Sequence, residues 1–199
     1  MTSLTHHAPK RRLSREARRS QLLETAWRIV RLEGSDALTL ARVGEEAGVS
    51  KPVVYDHFTT RHGLLAALYE DFDIRQNAII TAAMDAAENT VTAKAAVIAA
   101  CYVDCVMTQG REIPDVLSAL GGSPELAEVK RKYQIDFIEK FQKWFAPFVN
   151  EKGIFLPSLW AMLGAADSIS NAVVSGDITR EQGQQELTAI IIGIVERNR

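Results

Sequence analysis

The sequence predicts an all-α protein in two parts, a short N-terminal unit of three helices and a larger C-terminal helical domain. Three observations predict it. Apolar residues recur at helical spacing from Ser14 onward. The breaks between these stretches carry glycine, proline and capping residues. No convincing strand and no internal repeat is present. At 199 residues, 47% hydrophobic and with only 12 glycines, the chain can bury a sizeable helical core and is expected to hold two domains.

The first helix is expected from about Ser14 to Glu33, with Leu22, Leu23, Ala26, Trp27, Ile29 and Val30 on one side and Gly34 as its stop. A second runs from about Leu40 to Glu46, with Thr39 as N-cap and Val43 and Ala47 as its buried pair. Gly48 then stands where one short helix must stop and another begin at a steep angle, which a residue without Cβ can manage at positive φ. Val49 is expected to plug the gap between the two helices, and Ser50 to cap the third with its hydroxyl. Pro52 falls in the first turn, where its missing N–H is no loss. This is the punctuation of a helix-turn-helix. A helix opening with a small hydroxyl, a lysine and a compact apolar surface can push its N-terminal end into the DNA major groove. Its free N–H groups favour nearby phosphates.

Charge points to the same end of the chain. The whole sequence carries a net charge of -2, but residues 1 to 62 hold 11 basic and 7 acidic residues and the remainder 12 and 18. Lys10, Arg11, Arg12, Arg15, Arg18 and Arg19 form a basic arm and first turn, suited to phosphates or a minor groove, or equally to a solubilising tail.

Residues 21 to 65 resemble the N-terminal domain of the TetR family of bacterial transcriptional regulators. The matching elements are Leu22-Leu23 with Ala26, the Gly34 stop, Thr39 with Val43, the Ala47-Gly48-Val49-Ser50 turn, Tyr55 with His57-Phe58, and Arg61 followed by Leu64-Leu65. The resemblance implies that Lys51, Pro52, Val53, Tyr55 and His57 stand where family members touch bases and phosphates, Tyr55 and His57 more often the backbone. It places Thr39 and Arg61 at phosphate-contacting positions, and Arg42 and Ser50 complete the expected DNA-binding set. Two departures matter. The family usually has lysine where Arg61 stands, and Pro52 replaces a small residue, so any base contact there is apolar, as to a thymine methyl. Phe58 reads as core, and His57 lacks partners at metal-ligand spacing.

The expected boundaries are a basic flexible arm at 1–13, the helix-turn-helix domain at 14–60, and a helical effector-binding and dimerisation domain at 61–199. A long linker helix is expected from Arg61 to about Ala87, positioned to transmit tilt between the two. Further helices are expected at about 92–109, 113–119, 124–149, 157–175 and 179–197, with Thr179 and Gln182 forming a capping box for the last. Tyr102, Cys105, Met107, Phe137, Phe141, Trp144 and Trp160 could line a ligand cavity or simply pack. Asp104 and Asp167 each interrupt an apolar run, so each needs a partner, either a cation of the protein or one of a ligand. Cys101 and Cys105 lie four apart on one helix, with Cβ atoms about 5 to 6 Å apart, too far for an unstrained disulfide. They read as pocket or core residues, with a redox sensor as the alternative.

Leu159, Leu163, Ala166, Ile169 and Val173, with Leu187, Ile190, Ile191, Ile194 and Val195, read as more apolar surface than one small subunit needs. The resemblance implies that these two helices pair with their symmetry mates in a four-helix interface, giving a homodimer on a near-palindromic double-stranded operator. No signal-peptide core follows Met1 and no apolar run is long enough to span a bilayer, so a cytoplasmic protein without membrane partner is expected. All four histidines lie in the first 62 residues, and no phosphate loop, metal cluster or nucleophile elbow accompanies the expected cavity, so neither an enzyme nor a cofactor is expected. The expected function is an effector-responsive regulator, a repressor released from DNA by a small molecule. A ligand-independent architectural DNA binder, or an activator of the same fold, is the alternative.

Overall fold

Helix α1 (Arg15–Glu33) begins where the Ser14 hydroxyl accepts a hydrogen bond from the Ala17 N–H at 3.1 Å, and it stops at Gly34. Its buried stripe is Leu22, Leu23, Ala26, Trp27, Ile29 and Val30, as the spacing predicts. The Thr39 hydroxyl caps α2 (Leu40–Ala47) by accepting from the Arg42 N–H at 3.1 Å, and Gly48 ends it in the left-handed region at φ 65. Helix α3 (Lys51–Phe58) follows with Pro52 in its first turn and Val54 and Phe58 buried. Ser50 occupies the N-cap position, but its hydroxyl caps nothing. The extended backbone at Ser50 is enough to start a helix whose first turn already contains a proline.

This computed structural model describes residues 13–109, 116, 119 and 124–199. The basic arm up to Arg12 lies outside them, and so does most of the helix expected at 113–119. Among the described residues the remaining elements are α4 (Arg61–Ala86), α5 (Val91–Gln109), α6 (Pro124–Phe145), α7 (Leu156–Ser175) and α8 (Arg180–Glu196), and no strand occurs. The Thr179–Gln182 capping box that starts α8 is present in full.

Two apolar cores result. The first joins α1, α2 and α3 to the first turns of α4 through Leu64, Leu65, Leu68 and Tyr69. The second joins the far end of α4, through Ile80 and Met84, to α5, α6, α7 and α8 around Phe141, Phe145, Leu159 and Ile191. Helix α4 belongs to both, which makes it the mechanical link between them. A polar seam reinforces its grip on α1: the Trp27 indole donates to Asp71 at 3.0 Å, and Arg19 pairs with Glu70 at 2.8 Å.

Most of the side chains expected at the dimer face lie inside this chain. Leu159, Leu163, Ala166, Val173, Leu187, Ile191, Ile194 and Val195 are buried inside this one chain, and Ile169 and Ile190 are half-buried. Much of their surface is covered by α5 and by the packing of α7 on α8. Ala161, Gly164 and Ser168 on α7, with Gln185 and Ala189 on α8, face outward instead.

Candidate nucleic-acid interface and cavity

The N-terminal end of α3 stands clear of the core. Lys51, Pro52 and Ser50 are exposed, Tyr55 is 50% exposed, and Val53 and His57 are half-buried. Phe58, one turn beyond Tyr55, is only 5% exposed and belongs to the core. Thr39 is exposed at the start of α2 while its hydroxyl is already engaged as a cap acceptor, which leaves its O–H free to donate outward.

The three cations expected here differ in what holds them. Lys51 has no carboxylate partner among the described residues, so its charge is available. Arg42 is gripped by Glu33 at 2.8 Å and Glu46 at 3.1 Å, and the Arg42 guanidinium in turn lowers the Glu33 pKa. Arg61 donates to two backbone carbonyls, Leu38 at 2.9 Å and Ser35 at 2.7 Å. That clamp ties the start of α4 to the loop before α2. Burial and the positive charge of Arg15 lower the His57 pKa, so its imidazole is neutral near pH 7.

The α3–α4 junction is a tight turn. Thr59 sits at φ 60, a conformation a β-branched residue rarely adopts, and the Thr60 N–H closes back on the Phe58 carbonyl at 2.5 Å. A Cβ on Gly63 would lie 2.2 Å from that carbonyl, so the first turn of α4 tolerates only glycine there. This tight turn joins α3 directly to the first turn of α4.

Between α4, α5, α6 and α7 lies a cavity of about 360 Å³. Of the side chains that the sequence put forward, Tyr102, Cys105, Phe137 and Asp167 line it. Asp104, Phe141, Trp144, Trp160 and Met107 do not. Asp104 instead makes a two-pronged ion pair with Arg180 of α8, both contacts at 2.6 Å, and accepts from Gln184 at 2.9 Å. Phe141 is fully buried in the second core, Trp144 packs on Phe137 from behind, Arg131 stacks over Trp160, and Met107 faces solvent.

The sequence missed Tyr69, Phe72, Asp73, Asn77, Lys130, Tyr133 and Ser170, all of which line the cavity. Asp73 lies in the polar run Glu70-Asp71-Phe72-Asp73, where nothing marks it as facing inward. Burial raises the pKa of both Asp73 and Asp167. It also pushes the Cys105 thiol up to about 12, so little thiolate forms there at neutral pH.

Among the described residues, no helix is long and apolar enough to cross a membrane. Residues 22–68 match the family of bacterial regulatory proteins, tetR family. The HTH-type transcriptional activator FasR of Mycolicibacterium smegmatis is 36% identical over 87 residues, which are 43% of this chain and 40% of that protein. The match thus spans well under half of this curated relative. Among solved structures, a protein described as a TetR-family transcriptional regulator from Rhodococcus sp. superposes with a TM-score of 0.73 at 16% identity, covering 89% of this chain and 98% of that one. The fatty acid degradation regulator FadR from Bacillus halodurans superposes with a TM-score of 0.71 at 14% identity, covering 96% of this chain and all of that one (100%). At these identities the two structures establish a shared fold.

Proposed function

We propose that the chain is a transcriptional regulator of the TetR family, whose model matches its helix-turn-helix at residues 22–68, and that it is a repressor that binds a near-palindromic operator as a homodimer and is released by a small molecule. On this reading the chain works by binding DNA through the matched helix-turn-helix. The observation that carries the reading is the division of labour along α4, whose first turns sit in the core of the helix-turn-helix while Tyr69, Phe72, Asp73 and Asn77 line the cavity.

In this mechanism Lys51, Pro52, Val53 and Tyr55 meet base edges and phosphates in the major groove, with Thr39, Ser50 and His57 on the backbone. Arg42 and Arg61 hold the unit's shape and contribute charge from its flanks. An effector that fits the cavity better in one tilt of α4 than in another shifts the population toward that tilt, and the tight α3–α4 junction carries the change to the groove. The effect requires different affinities for the two states.

The two-fold contact is proposed to use the outward face of α7 and α8, where Ala161, Gly164, Ser168 and Ala189 are small enough for helices to approach closely. A Cβ added at Gly164 would meet nothing within 4 Å in the single chain. Gly164→Arg is therefore expected to yield folded monomers by sedimentation, and a dimer of unchanged affinity would remove this face from the proposal. Because the 36%-identical relative is named an activator, activation from the same operator is the second reading.

Footprinting on the DNA upstream of the protein's own gene, at two salt concentrations, tests the function. A protected palindrome whose affinity falls steeply with salt supports a sequence-specific dimer. Salt-dependent binding with no sequence preference would favour an architectural DNA binder. Transcription from the protected template in vitro, with and without the protein, separates repression from activation.

A further inference from the structure

The charges and rings around the cavity say what it is built to hold, given the reading above that it is an effector site. Its walls are aromatic. Tyr102 meets Phe137 edge-on at 5.4 Å and Tyr69 meets Tyr133 edge-on at 5.3 Å, leaving ring surfaces against which a flat apolar body can pack. At about 360 Å³ the space is at the small end for ligand pockets, room for one compact molecule.

The polar groups in those walls are unbalanced. Two carboxylates, Asp73 and Asp167, face the cavity with one ammonium, Lys130. Lys130 stands 3.6 Å from Asp167. Among the described residues Asp73 is partnered by an amide, the Asn77 side chain donating at 2.6 Å, with Lys140 one step removed at 2.8 Å from the Asn77 carbonyl. Among the described residues one carboxyl is thus left without a direct counter-ion. A second group is left over as well: the Ser170 hydroxyl, one turn after Asp167 on the same helix, is 2% exposed and makes no hydrogen bond. A buried hydroxyl without a partner is rare enough to call for one from outside the chain.

We propose that the cavity takes a compact aromatic molecule bearing one cationic nitrogen, whose charge is met by Asp73 and Asp167 and one of whose N–H groups is accepted by the Ser170 hydroxyl. A ligand carrying a carboxylate would bring a third negative charge among the two already there. Burial raises the pKa of both carboxyls although Lys130 and Lys140 oppose the shift, and a cation seated between them would oppose it further. Stacking of the cation on the tyrosine faces adds to the same preference.

The test uses the full chain without DNA and three probes that share one ring system, naphthylmethylammonium, naphthalenemethanol and naphthoate, titrated by calorimetry. The ammonium is expected to bind roughly tenfold or more tighter than the alcohol, as a charge-assisted hydrogen bond allows, with naphthoate weakest. Asp73→Asn and Asp167→Asn are each expected to erase most of that preference while leaving the alcohol's affinity unchanged, which shows that the variants still fold around the same cavity. Ser170→Ala should weaken the ammonium alone. Naphthoate binding as tightly as the ammonium, a preference that survives in the double Asp→Asn variant, or no binding by any probe at millimolar concentration would each overturn the proposal. The ligand preference and the regulatory reading fail separately. A cation that binds in this pattern but leaves the footprint intact keeps the ligand class and removes the release mechanism.

Discussion

Tyr55 and Phe58 lie three residues apart on α3, one 50% exposed and the other 5% exposed, so the working face and the packing face of that helix are distinct. The cavity domain is arranged differently. Phe137 and Leu163 are 8% and 3% exposed, yet both line the cavity, so the same side chains hold the fold and shape the site. In the first region recognition can change without touching stability. In the second, almost any change of ligand preference also disturbs packing, and only the polar groups Asp73, Asp167 and Ser170 can be altered with little loss of volume.

The largest expected effects sharpen this contrast from the core side. Phe58→Ala should destabilise the helix-turn-helix by about 3–5 kcal/mol, and Leu163→Ala should destabilise the cavity domain by about 2–5 kcal/mol while also changing probe affinity. Denaturant melts and probe titrations on both variants check the pair. Unaltered probe binding in Leu163→Ala would break the claim that core and cavity share residues.

A smaller effect is expected at the α3–α4 junction. Thr59→Gly relieves a positive φ and should raise stability by about 1 kcal/mol. The same change loosens the joint that carries α4 motion to α3, so operator release by an effector should become less complete. A variant that melts higher yet responds to effector as the parent does would show that Thr59 plays no part in coupling.

The smallest effect is a pH dependence in the cavity. Burial holds the Asp167 carboxyl above its ordinary range, with Lys130 opposing the shift. The folded pKa thus exceeds the unfolded one, so this group favours folding at low pH and that contribution is lost as the pH rises through the folded pKa. Asp167→Asn should melt above the parent at pH 7, and the gap should close as the pH falls below about 4, the unfolded aspartate value. Scanning calorimetry at three pH values measures it. A gap that widens toward acid would contradict the burial argument.

The same contrast explains what could be read from the residues alone. Thr39, Gly48 and Pro52 act on the backbone of their own neighbours, so their signals are local and the helix-turn-helix is legible from them. The capping box at Thr179 and Gln182 is legible for the same reason. Helical periodicity shows that Leu159, Ile191 and Ile194 need cover, but the cover can come from the same chain or from a second copy, and here α5 supplies much of it. Asp104 and Asp167 both interrupt apolar runs, and only the third dimension separates them: one meets Arg180 at the surface, the other enters the cavity. Asp73 gives no local sign because its neighbours are polar too.

The most direct measurement is the affinity of the parent, Lys51→Ala and Tyr55→Phe for the footprinted operator, read by fluorescence anisotropy beside a melt of each protein. Both residues are exposed and Lys51 has no carboxylate partner among the described residues, so the melts are expected to coincide. Affinity should fall about tenfold or more for Lys51→Ala, as loss of one phosphate or base contact does, and by less for Tyr55→Phe. Unchanged affinity in both variants, with the parent bound to the same site, would contradict the assignment of α3 as the recognition helix.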